Sequence, residues 1–129
     1  MHGSPERPQT IVVVDDEHEI VDLLVCALRK AGYEVLGAYK PEDAFVLCTD
    51  RDRVVDLVVS DYSMPGQNGI QLANDLQRMR PKLEFVFMSA SPVAFEESIA
   101  AGFVCLPKPF SFAELLEKIQ ERLDTAQCL

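Results

Sequence analysis

The run Thr10-Ile11-Val12-Val13-Val14-Asp15-Asp16-Glu17 decides the fold. Five β-branched residues in succession are too few for a helix and read as a strand buried in a parallel sheet. Two carboxylates follow without a spacer. The pattern recurs downstream: Val54 to Ser60 reads as a strand that delivers Asp61, and Phe103 to Leu106 as a strand followed by Lys108, set between two prolines. In a parallel α/β sheet the carboxyl ends of the strands share one edge, and ligands bind in the crevice there. Three acids converging on that edge repel one another strongly unless a cation sits between them. A hard divalent ion such as Mg²⁺ takes oxygen ligands from one or two carboxylates and keeps positions for water and phosphate oxygens. The residues therefore describe a Mg²⁺ site with one carboxylate left to react and an ammonium to receive a phosphoryl group.

Outward from the first strand, Ile20, Leu23, Leu24, Ala27, Leu28 and Ala31 fall at helical spacing, with Gly32 as the stop. Tyr33 to Ala38 reads as a second strand, and Pro41-Glu42-Asp43 opens a second helix with the residue types favoured in a first turn. After Asp61, the loop Met64-Pro65-Gly66-Gln67-Asn68-Gly69 leads to a third helix carrying Ile70, Leu72, Ala73, Leu76 and Met79, stopped before Pro81. Leu83 to Met88 is a fourth strand ending in Ser89, and Val93 to Ala101 a short helix closed by Gly102. Ser111 with Glu114 forms a capping-box pattern ahead of a last helix with Leu115, Leu116, Ile119 and Leu123 on one stripe. Five strands alternating with five helices imply an α/β three-layer sandwich around a parallel sheet.

At 129 residues the chain is sized for one domain. Residues 1–8 read as a disordered lead-in, 9–123 as the domain and 124–129 as a C-terminal tail. A net charge of −9 argues against direct binding to nucleic acid or an anionic membrane, and no stretch is long and apolar enough to span a bilayer. Cys26, Cys48, Cys105 and Cys128 show neither a Cys-x-x-Cys pair nor histidines at zinc spacing. They read as core residues of a protein in a reducing compartment, hence a cytoplasmic one.

Four segments carry a resemblance to a known family: Val13-Val14-Asp15-Asp16-Glu17, Ser60-Asp61-Tyr62-Ser63-Met64-Pro65-Gly66-Gln67-Asn68-Gly69, Met88-Ser89-Ala90 and Lys108-Pro109-Phe110. Together, in this order, they resemble the receiver domain of bacterial two-component response regulators over about residues 9–123. The resemblance implies a flavodoxin-like sheet of order 2-1-3-4-5. It implies a phosphoacceptor at Asp61 that takes the phosphoryl group of a phosphohistidine. It also implies Mg²⁺ held by Asp16, Asp61 and the Ser63 carbonyl, with Asp15 acting mainly through water. Lys108 and Ser89 would bind phosphoryl oxygens, and the Lys108–Pro109 bond would be cis. The expected partner is a histidine kinase or a histidine phosphotransfer domain, and the expected role is signalling rather than metabolic catalysis. The Phe87-Met88-Ser89-Ala90 segment and the chain after Lys108 look most like receivers at the C-terminus of hybrid sensor kinases.

Two features depart from that family. The interval from Ser89 to Lys108 is 19 residues, a few shorter than usual, which shortens the fourth-helix region. Three residues before the lysine, where relatives carry Tyr or Phe as a switch ring, stands Cys105. Phe103, two residues earlier and so on the same strand face, is the candidate stand-in. Singly, Asp15 or Asp16 reads as a helix cap, Asp61 as a turn former, Lys108 as a solvated charge and His18 as a surface residue. Their common edge is what those readings leave unexplained. Two other functions were weighed on the same topology. A flavin carrier would need a phosphate loop where this chain has Asp15 to Glu19. A Mg²⁺-dependent phosphohydrolase would place its aspartyl nucleophile after the first strand.

Overall fold

A computed structural model describes residues 8–127. Residues 1–7 of the expected lead-in, and Cys128 with Leu129, lie outside the described residues. The elements are β1 (Thr10–Val14), α1 (His18–Lys30), β2 (Glu34–Ala38), α2 (Pro41–Thr49), β3 (Leu57–Asp61), β4 (Ser63–Met64), β5 (Gln67–Asn68), α3 (Gly69–Met79), β6 (Glu84–Ser89), α4 (Pro92–Ala100), β7 (Val104–Pro107) and α5 (Phe112–Gln127). Five strands form one all-parallel sheet of order β2-β1-β3-β6-β7, the flavodoxin-like order.

The sheet is covered on both faces, as parallel sheets are. Because side chains alternate along a strand, each strand divides between two cores. Ile11, Val13, Leu57, Val59, Val86 and Met88 pack with Val21, Leu24 and Leu28 of α1 and Leu115, Ile119 and Leu123 of α5. Val12, Val14, Val58, Phe85, Phe87 and Cys105 pack with α2 and α3 through Ala44, Cys48, Leu72, Ala73 and Leu76. All five residues of β1 are buried, so the opening run is the centre of the molecule.

The capping box at the start of α5 forms as read: Ser111 N donates to Glu114 Oε1 at 2.9 Å, and Glu114 N to Ser111 Oγ at 3.1 Å. A second box stands at α3, where Asn68 Oδ1 accepts from Gln71 N and the Gln71 side chain accepts from Asn68 N. That box, with the two-residue ladder β4–β5, orders the loop after Asp61, which hydropathy alone left irregular.

Three expectations need correction. β3 begins at Leu57, not Val54: Val54 is exposed, and Asp56 receives Thr10 N on its side chain while its own N–H reaches Thr10 O, pinning the approach below the ladder. Cys26 is exposed on α1 rather than in the core, because it lies outside the helix stripe of Val21, Leu24 and Leu28. α5 runs on past Leu123 to Gln127.

Gly69 is where packing constrains the chain most closely near the site. A Cβ there would lie 2.8 Å from Cε1 of Phe87 and 3.3 Å from the Tyr62 backbone. Gly69→Ala should therefore lower stability by about 1–3 kcal/mol, the range of overpacking a filled core. Urea unfolding would read this as a lower midpoint, and an unchanged midpoint would mean that the Phe87 ring retreats freely.

Candidate functional site

Asp15 and Asp16 directly follow β1, Asp61 is the last residue of β3, Ser89 the last of β6, and Lys108 follows β7. Parallel strands in register bring these ends to one edge, so residues up to 93 positions apart in the chain become neighbours. Asp15, Asp16 and Asp61 each offer a carboxylate oxygen within 4.8 Å of the others. Lys108 Nζ lies 3.1 Å from Asp61 Oδ1 and 4.0 Å from Asp15 Oδ2.

Asp15 is fully buried. Its Oδ1 accepts from Glu17 N at 2.9 Å, a local turn two residues long, while Oδ2 has no hydrogen-bond partner. Asp15 is therefore not the N-cap of α1, a position held by Glu17. Burial first, opposed by the Glu17 amide and reinforced by the Asp61 charge, pushes the Asp15 carboxyl up to about 6. Burial also raises Asp61. The Lys108 hydrogen bond and charge pull it back, and Asp16 and Glu17 add to the rise. Burial works to lower Lys108, but the hydrogen bond and charge of Asp61, with Asp15 and Glu17 behind it, raise its pKa overall. One ammonium thus faces several acids, and the edge carries an excess of negative charge.

Buried carboxylate oxygens without a hydrogen-bond donor are rare, and this one is an acceptor that a cation would satisfy. Oxygen ligands around one octahedral Mg²⁺ stand about 3–4 Å apart. Asp16 is the exposed member of the three. The residues fit the ion.

The flanking groups complete the edge. Ser89 Oγ accepts from Ser91 N at 3.0 Å, and Ser89 O accepts from Lys108 N at 2.8 Å. The Lys108–Pro109 bond is cis. Ser63 is exposed, opposite Asn68 in the small ladder. His18 is exposed and stacks on Tyr39 at 3.8 Å. Phe103 turns inward beside Cys105, its ring edge-on to Phe85 and Phe87 at 5.9 and 5.2 Å.

The sequence places Tyr62 at the mouth of the site by resemblance but gives it no partner, and it does not single out Glu97. Tyr62, 6% exposed, donates its phenol to Glu97 Oε1 on α4 at 2.5 Å. The position of Tyr62 beside Asp61 was a usable signal. Nothing local marks Glu97, 35 residues away.

The profile of the response regulator receiver domain matches residues 11–120. The chain belongs to that family. It is a receiver domain of the kind found in two-component systems, and the flavin-carrier and phosphohydrolase readings are set aside. It is 34% identical to the sensor kinase CckA of Brucella abortus over 118 residues, covering 89% of this chain and 12% of that kinase. It spans at most half the length of five other curated relatives that it matches. A CheY-like receiver domain protein from Methanospirillum hungatei superposes with a TM-score of 0.84 at 27% identity, over 94% of this chain and 98% of that one. The response regulator TrrA from Thermotoga maritima, solved in complex with Mg²⁺ and BeF, gives a TM-score of 0.74 at 29% identity, over 88% and 98%. Among the described residues no helix is long and apolar enough to cross a membrane.

The raised Asp15 carboxyl sets a pH signature for the metal-free domain. A folded-state pKa above the unfolded value means that the native state holds the proton more tightly. The associated stability is full at low pH and is lost as pH rises from about 4 through about 6. In chelator, unfolding midpoints should fall as pH rises from about 4 to about 6 and level off above that, and Asp15→Asn should flatten that fall while raising stability at neutral pH. An equally steep fall in the Asn variant would remove Asp15 as its source.

Proposed function

We propose that this domain accepts a phosphoryl group on Asp61 from a phosphohistidine of a histidine kinase or histidine phosphotransfer domain. The observation that carries the reading is the Lys108 ammonium 3.1 Å from Asp61, with oxygens of Asp15 and Asp16 gathered beside it. A carboxylate attacking a phosphoryl group brings two anions together, so catalysis rests on positioning and charge neutralisation. Lys108 holds one Asp61 oxygen and the other attacks phosphorus. The new O–P bond forms as the N–P bond of the phosphohistidine breaks, and the leaving imidazole keeps the electron pair. Lys108 then pairs with a phosphoryl oxygen, and the Ser89 hydroxyl, at the end of the adjacent strand, donates to another.

Asp16, Asp61 and the Ser63 carbonyl would hold Mg²⁺, with Asp15 reaching it through water. When bound, the ion supplies further neutralisation of the phosphoryl oxygens. Support comes from the orphaned Asp15 oxygen and from the Mg²⁺ complex of the Thermotoga relative. Hydrolysis of the aspartyl phosphate by the same groups would make the domain catalyse its own resetting without being a metabolic enzyme. The likeness to the Brucella sensor kinase favours attachment to a hybrid kinase, and a cytoplasmic setting goes with that.

Incubation with acetyl phosphate and Mg²⁺ should add one phosphoryl mass that hydroxylamine removes, and Asp61→Asn should abolish it. Labelling that persists in the Asn variant would place the acceptor elsewhere.

Mg²⁺ should raise the melting temperature of the wild-type domain by relieving repulsion on the acidic edge, and raise that of Asp16→Ala much less. Equal responses in the two proteins would take Asp16 out of the metal site.

A further inference from the structure

Tyr62 follows Asp61 directly, and its backbone is held at both ends: Tyr62 N donates to Met88 O at 2.9 Å, and Gly69 N donates to Tyr62 O at 2.7 Å. The backbone that carries the ring is therefore fixed beside Asp61. It lies edge-on to Phe87 at 6.1 Å and extends over β6 to α4, where the phenol meets Glu97. The aromatic that links this edge to α4 is thus carried on β3's end, and β7 contributes only the small Cys105 beside it.

Glu97 is the α4 carboxylate tied to this edge, bonded to the residue next to Asp61. Phosphorylation replaces a singly charged carboxylate with a group carrying about −1.5 to −2 charge. A more negative Asp61 acts against the second carboxylate, Glu97, that the neighbouring residue holds. The Ser89 hydroxyl is meanwhile a tie to the N-cap of α4 through Ser91 N, and it faces the same change.

We infer that Tyr62 is the switch residue of this domain, its hydrogen bond to Glu97 holding α4 down while Asp61 is unmodified and loosening when Asp61 is phosphorylated. The inference rests on Asp61 as phosphoacceptor. Phe103 is not needed for it, because that ring, partly buried, already packs against Phe85 and Phe87.

Amide exchange over residues 92–100 reads the state of the tie, comparing Mg²⁺ alone with Mg²⁺ plus beryllofluoride. In the wild type, exchange in α4 should be slow with Mg²⁺ and speed up on adding beryllofluoride by about fivefold, the factor implied by one ordinary net hydrogen bond. Tyr62→Phe should exchange fast in both conditions. Glu97→Gln keeps an acceptor for the phenol but removes the charge, so it should exchange slowly in both, whereas Glu97→Ala should copy Tyr62→Phe. Glu97 is exposed, so its two variants test the tie even if the Tyr62 variant folds poorly. A wild-type response that survives in Tyr62→Phe or in Glu97→Ala overturns the inference, as does a full response in Glu97→Gln. Chemical shifts at Ser89 and Lys108 in the same samples report whether beryllofluoride binds at all. No shift there in the wild type would overturn the phosphoacceptor reading itself, and the switch with it.

Discussion

The constraint on which the rest of this structure depends is the excess of negative charge at one edge of a buried sheet. Asp15 is wholly enclosed, Asp61 is 9% exposed, and one ammonium serves both. In such surroundings charges interact more strongly than in water, and an unmatched one is costly. The fold holds this arrangement because β1, β3 and β6 are packed on both faces and leave the strand ends little room to splay. Stability is lower at the metal-free acidic edge than the hydrophobic core alone would allow. That deficit is what a cation bound at this edge would relieve. The same feature explains why the Asp15 carboxyl is raised although an amide and an ammonium both favour its charged form.

The edge is connected to the surface asymmetrically. On the α1–α5 side, the tie is local: Asp15 Oδ1 accepts from the backbone of Glu17, the N-cap of α1, above a mainly aliphatic core. On the α4 side, Tyr62 and Ser89 both end in hydrogen bonds to that helix or its N-cap. α4 is nine residues long, with only Ala94 and Ser98 buried, so few apolar contacts hold it in place. A short helix with little buried surface is the element whose position a single hydrogen bond can decide. Cys105 fits this arrangement: a small side chain on β7 leaves room for an aromatic that approaches from β3.

Much of the fold was legible from particular residues. The β-branched run at 10–14 and the Ser111–Glu114 box each state a local preference that no tertiary contact contradicts, whereas the spacing from Ile20 to Ala31 gives the helix but not its buried face, which takes in Val21 and leaves Leu23 exposed. The boundary of β3 was not legible. Val54 and Val55 have strand-like side chains, and only the Asp56–Thr10 pairing shows that the ladder starts after them. Cys26 was misplaced for a similar reason, since an apolar neighbourhood in sequence does not say which side of a helix faces the core.

The sequence by itself determined the chemistry of the site: three carboxylates and a lysine, each at the end of a hydrophobic run, can meet only if those runs lie parallel, and a parallel sheet is what such runs form. Local periodicity is enough for that, because strand direction and side-chain alternation follow from backbone geometry. What only the tertiary structure decided is how the charges are matched and to whom the site is tied. Lys108 pairs with Asp61 more closely than with Asp15, one Asp15 oxygen is left without a donor, and Tyr62 reaches a glutamate 35 residues away. These depend on distances of a few tenths of an ångström between elements remote in the chain. They are set by how the helices pack on the sheet, which no short stretch of sequence encodes.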